Sequence, residues 1–530
     1  MAYDVHWWQT GIIYQIWVRS FLDTNGDGIG DLPGITQKLD YIQSLGADAI
    51  WLAPIFPSPW ADSGYDVSDF RNVHPRFGKL ADMDRLISEA HQRNIRVILD
   101  WLINHTASDH SWFQDARSSQ KSQHRDWYIW ADPKTDGSPP NNWLSVFGGS
   151  AWTLDEQTGQ YYFHAFMPEQ PDLNWRNPQV IEAMHDNLRF WLKRGIDGFR
   201  LDALDMLLED PDLPDNPPNP DFDPGGALDQ AVIQKYTRNQ PGIHDLIAGM
   251  RKVCDEFPER VLLGEIYVSA EEMVPYYGTP EQPELHLPLN PQFLRQRWDA
   301  DEMARAISGY LEAVSAYGWP TWALSNHDIN RLTQRAQADQ PRVATMLLLT
   351  LRGTPSIYYG EEIGMHDVPI PAELVEDPQA KTQPERSRDV ARTPMQWDGS
   401  KNAGFTSGKP FFPIADDYQQ INAAAQQRDS RSLLALYRRL ADLRKQEPAL
   451  AHGIQTPAIR RAPLLVYRRE LPERRLLVIL NMAGDDVTFD FSELASWAEL
   501  LLSTFLDREH EALEQSVSLR GNEGLILALD

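Results

Sequence analysis

Three acidic residues stand out for the sequence that precedes them. Asp202 lies in GIDGFRLDA, Glu265 in GEIY after the apolar run VLL, and Asp328 in SNHDINR. One such acid commonly caps a helix or pairs with a base. Three carboxylates gathered at one place repel each other, and that cost points to chemistry rather than to stability. Two carboxyl groups flanking one acetal bond, one ionised and one protonated, are the equipment of glycosidic bond cleavage. Arg200 stands two residues before Asp202, so on a strand both side chains leave the same face, where a guanidinium favours the ionised carboxylate. Glu265 follows apolar residues and would face two other acids, which raises a carboxyl pKa and suits a proton donor.

These acids need a scaffold that brings distant segments to one point. Short apolar runs at 11–17, 47–56, 96–102, 195–204, 261–267, 285–289, 321–328 and 355–361 alternate with helical patterns at 80–94, 178–194, 236–256, 301–317 and 342–351. Alternation of this kind predicts βα units on a parallel sheet, and eight strands predict an α/β fold, a closed (β/α)8 TIM barrel. In such a barrel the C-terminal strand ends converge on one mouth, so all three acids would meet there.

Two gaps exceed ordinary loops. Residues 104–174 are rich in Trp, Gly, Pro and Asp, with a hairpin-like stretch at 151–166, and read as a small domain inserted after strand three. Residues 209–241 hold the run EDPDLPDNPPNPDFDPGG, whose prolines forbid regular structure. An ordered loop over the mouth, or a flexible flap, is expected there. After a helix at 432–446, alternating strands suggest a C-terminal antiparallel β domain. The expected division is 1–103 and 175–450 for the barrel, 104–174 for the insertion and 451–530 for the β domain.

Composition sets limits. The chain has 530 residues with 76 acidic and 49 basic side chains, a formal charge of −27. That surface repels nucleic acid and anionic membranes, so no nucleic acid and no membrane partner is expected. No run reaches the roughly 18 apolar residues of a membrane span. One cysteine, Cys254, excludes an internal disulfide and fits a reducing compartment. The start MAYDVHWW lacks the pattern of a signal peptide, and a cytoplasmic location is expected.

The segments GIIYQIWVRSF, ADAIWLAPIF, DSGYDVSDF, INHT, QPDLNW, GFRLDA, GEIY, NHD and SRDVARTPMQW occur in that order over most of the chain. Together they resemble the α-amylase family, glycoside hydrolase family 13, in its oligo-1,6-glucosidase and α-glucosidase branch. The resemblance implies Asp202 as nucleophile, Glu265 as acid/base and Asp328 as the acid that grips ring hydroxyls. It implies His105 and His327 as partners of the glucose hydroxyls, Arg200 as support of the nucleophile and Tyr65 as a platform under the terminal glucose. Asp62 and Arg388 would close the pocket behind that sugar, making the enzyme exo-acting, and Phe166 would line the same pocket. The substrates implied are small α-glucosides, handled by a monomer or homodimer. In this branch alanine after the nucleophile, here Ala203, accompanies α-1,4 specificity and valine α-1,6 specificity. A transglucosylase or a trehalose synthase-like enzyme shares many of these motifs and remains an alternative. A binding protein that has lost catalysis does not fit, because the carboxylates are all present.

The loop DTNGDGIGD, 23–31, carries oxygen donors at alternating positions and Gly28 at the sixth, as an EF-hand loop does. It departs from that pattern at the twelfth position, where Gly34 replaces the bidentate glutamate. The resemblance implies one structural Ca2+ held by Asp23, Asn25, Asp27, the Ile29 carbonyl and Asp31, and no organic cofactor.

Overall fold

The computed structural model describes residues 5–290, 293–314, 318–335 and 340–530. Eight short parallel strands are present: β1 Ile13–Ile16, β2 Ala49–Leu52, β3 Arg96–Trp101, β4 Gly198–Leu201, β5 Val261–Glu265, β6 Leu287–Leu289, β7 Thr321–Ala323 and β8 Thr354–Tyr358. They lie in the order β7-β8-β1-β2-β3-β4-β5-β6. The two ends of that sheet meet through a side chain. Thr321 Oγ1 donates to the Pro288 carbonyl at 2.6 Å and accepts from the Asn290 N–H at 3.3 Å. Nearly every strand residue is buried, as expected of a parallel sheet covered on both faces.

The helices α1 Leu80–Gln92, α2 Pro178–Arg194, α3 Ile243–Asp255, α4 Ala300–Ala313, α5 Gln340–Thr350 and α6 Leu433–Gln446 surround the sheet. α2 shows how local chemistry sets its ends. Asn177 caps it by accepting from the Gln179 N–H, a proline opens it, and Gly195 at φ 103° ends it in the left-handed region. The helix expected at 236–256 starts only at Ile243. Gly242 takes φ 98° and Pro241 disfavours a helical residue before it, so the upstream turn is blocked. The expected end of α4, at 315–317, lies outside the described residues.

Residues 104–174 contain the helix Ser111–Ser118 and a three-stranded antiparallel sheet, with Gln160–Phe163 between Trp130–Ala131 and Trp152–Asp155. Its aromatic cluster of Trp143, Trp152, Tyr161 and Phe163 packs directly onto Ala203 and Met206 beyond β4. Residues 209–241 form an ordered loop pinned by side-chain amides. Asn216 accepts from the Tyr236 N–H at 3.0 Å, and its carbonyl accepts from Asn142 at 2.9 Å. Beyond residue 453 an antiparallel sheet follows the order Ile454–Gln455, Leu464–Leu471, Arg474–Asn481, Gly524–Leu529, Trp497–Ser503, Glu511–Glu514. The buried Arg444 of α6 donates to the carbonyls of Leu349, Leu351, Gly353 and Leu450, tying the end of α5 and the start of β8 to the segment entering that sheet. No helix of the described residues is long and apolar enough to cross a membrane.

Candidate active site

β3, β4 and β5 are neighbours in register, with Asp100 beside Arg200 and Arg200 beside Leu263. The inward face of β4 therefore carries Arg200 between two walls of the barrel. Its guanidinium gathers three carboxylates. Nη1 donates to Asp100 at 2.8 Å and to Asp202, and Nη2 meets Glu265 at 2.6 Å. Two oxygens held by neighbouring nitrogens of one planar group lie no more than about 7 Å apart. One oxygen of each reacting carboxyl is thus tied down. Glu265 Oε1 also accepts from the Tyr267 hydroxyl at 2.8 Å. Asp202 Oδ2 has no hydrogen-bond partner among the described residues, and Glu265 Oε2 has only a 3.5 Å contact from the Ala203 N–H. Both residues line one cavity of about 720 Å³.

Ala203 sits at φ 46°, a left-handed conformation rare for a residue with a Cβ. The turn directly after Asp202 is therefore held under strain, as happens where a side chain must be aimed.

Asp328 follows β7 and receives two guanidinium groups, Arg392 at 3.0 Å and Arg388 at 3.2 Å. Burial alone would raise its pKa. His327 through its Nε2–H, with the charges of Arg388, Arg392 and Arg200, outweighs burial and holds the carboxyl below the usual range, so Asp328 is ionised near pH 7. His327 receives the Gln15 amide on Nδ1 at 2.8 Å, which leaves its proton on Nε2, facing the Tyr65 hydroxyl at 2.5 Å and Asp328 at 3.1 Å. Burial lowers its pKa to about 3, and that of His105 to about 4, so both rings are neutral near pH 7. Tyr65 in turn donates to Asp100 at 2.9 Å and stacks on the His327 ring with 7° between the planes.

An ion pair also lines the cavity. Arg388 Nη2 lies 3.1 Å from Asp62, while Asp377 accepts from the Arg388 backbone at 2.6 Å, from Nε at 3.0 Å and from Nη2 at 2.7 Å. Phe166 lines the cavity with its ring against His105 at 5.2 Å between centroids. Asp62, Tyr65, His105, Phe166, Asp202, Glu265, Asp328 and Arg388 all face this one space, with Arg200 and His327 just beneath it.

The expected electrostatics differ in one respect. Arg200 was to depress Asp202 while Glu265 rose. Both are raised instead, by burial first and then by the charges of neighbouring acids, because one guanidinium is shared among three carboxylates.

Several contributors escaped the sequence reading. Asp100 left a trace, an acid inside the apolar strand RVILDW one residue from its end. Tyr267 and Arg392 lie in motif segments already singled out. So do Gln15 and Gln170, whose side-chain nitrogen lies 2.9 Å from His105 Nε2, whereas Asp377 carries no local signal.

The loop of residues 23–31 winds by side-chain turns. Asp23 accepts from the Asn25, Gly26 and Gly28 N–H groups, Asn25 from Asp27 and Asp27 from Ile29. These all-oxygen donors suit a hard cation. Asp31 is turned towards Thr24 and the Gly34 N–H, capping the short helix Leu32–Gln37. Gly34 is required there, since a Cβ would lie 2.1 Å from the Leu22 carbonyl oxygen. Among the described residues no group of three or more His, Cys, Asp or Glu side chains is gathered as a metal site.

A parallel eight-stranded barrel with paired carboxyls on one guanidinium defines a glycoside hydrolase of the barrel class. Residues 15–453 match the α-amylase catalytic-domain family. A probable α-glucosidase of Rhizobium meliloti (strain 1021) is 41% identical, over 92% of this chain and 91% of its own. An oligo-1,6-glucosidase of Parageobacillus thermoglucosidasius is 36% identical over 96% of each chain. The solved structure of an α-glucosyl transfer enzyme superposes with a TM-score of 0.92 at 38% identity, over 99% of this chain and 100% of that one. The chain belongs to the α-amylase family, among its α-glucosidases and oligo-1,6-glucosidases.

Proposed function

We propose that the protein is an exo-acting, retaining α-glucosidase that removes terminal glucose from short α-1,4-linked sugars. The observation that carries this reading is the placement of Asp202 and Glu265 on one guanidinium inside a cavity that the Asp62–Arg388 ion pair also lines. The bound on their separation accommodates the ~5–5.5 Å of retaining enzymes.

Asp202 Oδ2, the free oxygen, attacks the anomeric carbon while Glu265 Oε2 gives its proton to the leaving oxygen. Glu265 then takes a proton from water or an acceptor hydroxyl, which attacks the glucosyl ester and frees Asp202. Glu265 carries the proton in this mechanism, because Asp202 must keep its charge to attack. Asp328, ionised throughout, binds ring hydroxyls together with His105 and His327. Tyr65 and Phe166 form the walls of the glucose site.

Ala203 leaves more room beside the second sugar than valine would, favouring maltose over isomaltose. The competing reading, an oligo-1,6-glucosidase, is favoured by the names of several relatives. Glucose release from maltose, isomaltose, trehalose and sucrose at equal concentration decides: maltose should be cleaved fastest, and isomaltose leading would reverse the linkage assignment. Asp202→Asn should remove activity by a factor of roughly 10⁴, and undiminished activity would overturn every role given above. Structural calcium on Asp23, Asn25, Asp27, the Ile29 carbonyl and Asp31, and a cytoplasmic location with Cys254 reduced, belong to the same proposal.

A further inference from the structure

Arg19 follows β1 and is 3% exposed, yet it lines no part of the catalytic cavity. Its Nη1 donates to the Glu376 carboxylate at 2.6 Å, and the Glu376 side chain is itself 42% exposed. The Arg19 Nε is buried and has no partner among the described residues. The guanidinium carbon lies 4.5 Å from the centre of the Trp60 ring and 4.2 Å from that of Phe411. A charge buried against one half-exposed partner is a costly way to fill space, and an apolar side chain of similar volume would serve stability as well or better. What the arginine adds is a fixed junction, since one planar group touches three separate segments of the chain.

Two of those segments carry the ion pair that lines the cavity. Trp60 stands two residues before Asp62 in the turn after β2, at φ 69°, which is rare for a residue with a Cβ. Its N–H donates to the Ser58 hydroxyl oxygen at 2.9 Å and its indole N–H to His74 at 2.6 Å. The buried Asp66 accepts from the Ser58 hydroxyl and the Ala61 N–H at 2.8 Å each and from the Asp62 N–H at 3.1 Å, so this turn is strapped as one piece. Glu376 precedes Asp377, whose carboxylate accepts from the Arg388 guanidinium, and Asp389 accepts from the N–H groups of both. Arg19 therefore touches the Asp62 turn on one side and the Arg388 segment on the other. Phe411 adds the third segment, its N–H donating to the Gly28 carbonyl at 3.2 Å. Asp62 and Arg388 themselves meet at 3.1 Å.

We infer that Arg19 is a positioning residue for the glucose site: it clamps the Trp60 turn to the Glu376 segment and so sets the spacing at which Asp62 and Arg388 meet. The inference rests on the α-glucosidase reading above and adds to it a residue that touches no substrate. Without the clamp each segment stays folded on its own hydrogen bonds, but their spacing is no longer fixed. Glucose is then held less tightly in the ground state and the transition state alike, which raises KM and leaves kcat almost unchanged. Asp202 and Glu265 stand at the ends of β4 and β5, outside the segments that Arg19 touches, so the chemical step is spared.

The test is steady-state hydrolysis of maltose by Arg19→Met, with competitive inhibition by free glucose measured beside it. KM should rise about five- to thirtyfold with kcat within about twofold of the parent, the effect of losing one ion pair and two ring contacts. The inhibition constant of glucose should rise in the same proportion, because free glucose needs only the site that the ion pair lines. Glu376→Gln removes the charge of a half-exposed partner and leaves the rings in place. It should raise both constants about two- to fivefold, and it decides the matter if Arg19→Met does not fold. Arg117→Met, which removes an arginine paired with Asp155 at 3.0 Å in the inserted domain, should leave both constants unchanged. Constants within about twofold of the parent in folded Arg19→Met, or in Glu376→Gln where Arg19→Met fails to fold, overturn the inference. So does a loss confined to kcat, or an equal rise in Arg117→Met. Absence of any glucose release from maltose by the unmodified protein would instead strike the α-glucosidase reading, which separates the two failures.

Discussion

Asp377 is the most informative residue to perturb, because it touches no sugar in the proposed mechanism yet fixes one that does. Its carboxylate accepts three N–H groups from Arg388. It is itself held in place by Asp389, which accepts from the Glu376 and Asp377 N–H groups at 2.8 and 2.9 Å. Arg388 in turn places Asp62 at 3.1 Å and reaches Asp328 at 3.2 Å. In Asp377→Asn the amide oxygen can replace Oδ1 opposite Nε and Nη2, but the new NH2 faces the Arg388 backbone donor, and the negative charge is gone. One buried charge-assisted hydrogen bond is worth about 1.5–3 kcal/mol, which corresponds to about a 10- to 100-fold loss in kcat/KM if the loosened guanidinium no longer closes the glucose site. Arg388 and Asp62 act at the end of the sugar remote from the cleaved bond, so most of the loss should be in KM. Steady-state kinetics on maltose, with a melting curve to verify folding, measure both. A folded variant with kcat/KM within about twofold of the parent would refute the reasoning, as would a loss confined to kcat.

Glu265→Gln should cost far less on p-nitrophenyl α-glucoside than on maltose, because a nitrophenolate leaves without protonation; equal losses on both would deny Glu265 the acid role. Since burial raises both carboxyls, with Asp100 and Asp328 raising Asp202 further and Asp202 and Asp328 raising Glu265, kcat/KM should fall on the alkaline side as Glu265 loses its proton and on the acid side as Asp202 gains one; a flat profile contradicts these roles. Glu361 is buried, with its pKa pushed up to about 7 by desolvation, so its folded value lies above the unfolded one. Its contribution to stability is complete at acid pH and is lost as pH rises through about 7; Glu361→Gln should stabilise the fold at pH 8.5 relative to the parent by on the order of 2 kcal/mol, read as a higher melting temperature, and change little at pH 4.5. If calcium occupies the loop of residues 23–31, chelation should lower the melting temperature by several degrees and Asp27→Ala should abolish the difference; an unmoved melting curve would remove the ion from the account.

The sequence by itself determined the parts whose signals are local. Periodicity marked all eight strands, because each is a short buried run between turns and amphipathic helices. Asn177, Pro178 and Gly195 marked the ends of α2. The order of the motif segments pointed to Asp202, Glu265 and Asp328. Where a local conformation overrode periodicity, at Pro241 and Gly242, the helix began seven residues later than expected.

The tertiary structure alone decided what the charges do. Register on adjacent strands puts Asp100 beside Arg200, and that contact divides one guanidinium among three acids, so Asp202 and Glu265 rise together where spacing within β4 suggested opposite shifts. The same is true of Asp377, 11 residues before Arg388 in a segment with no chemical signature. Burial and proximity between distant segments set pKa and pocket shape. Both are properties of the folded chain, and no window of sequence contains them.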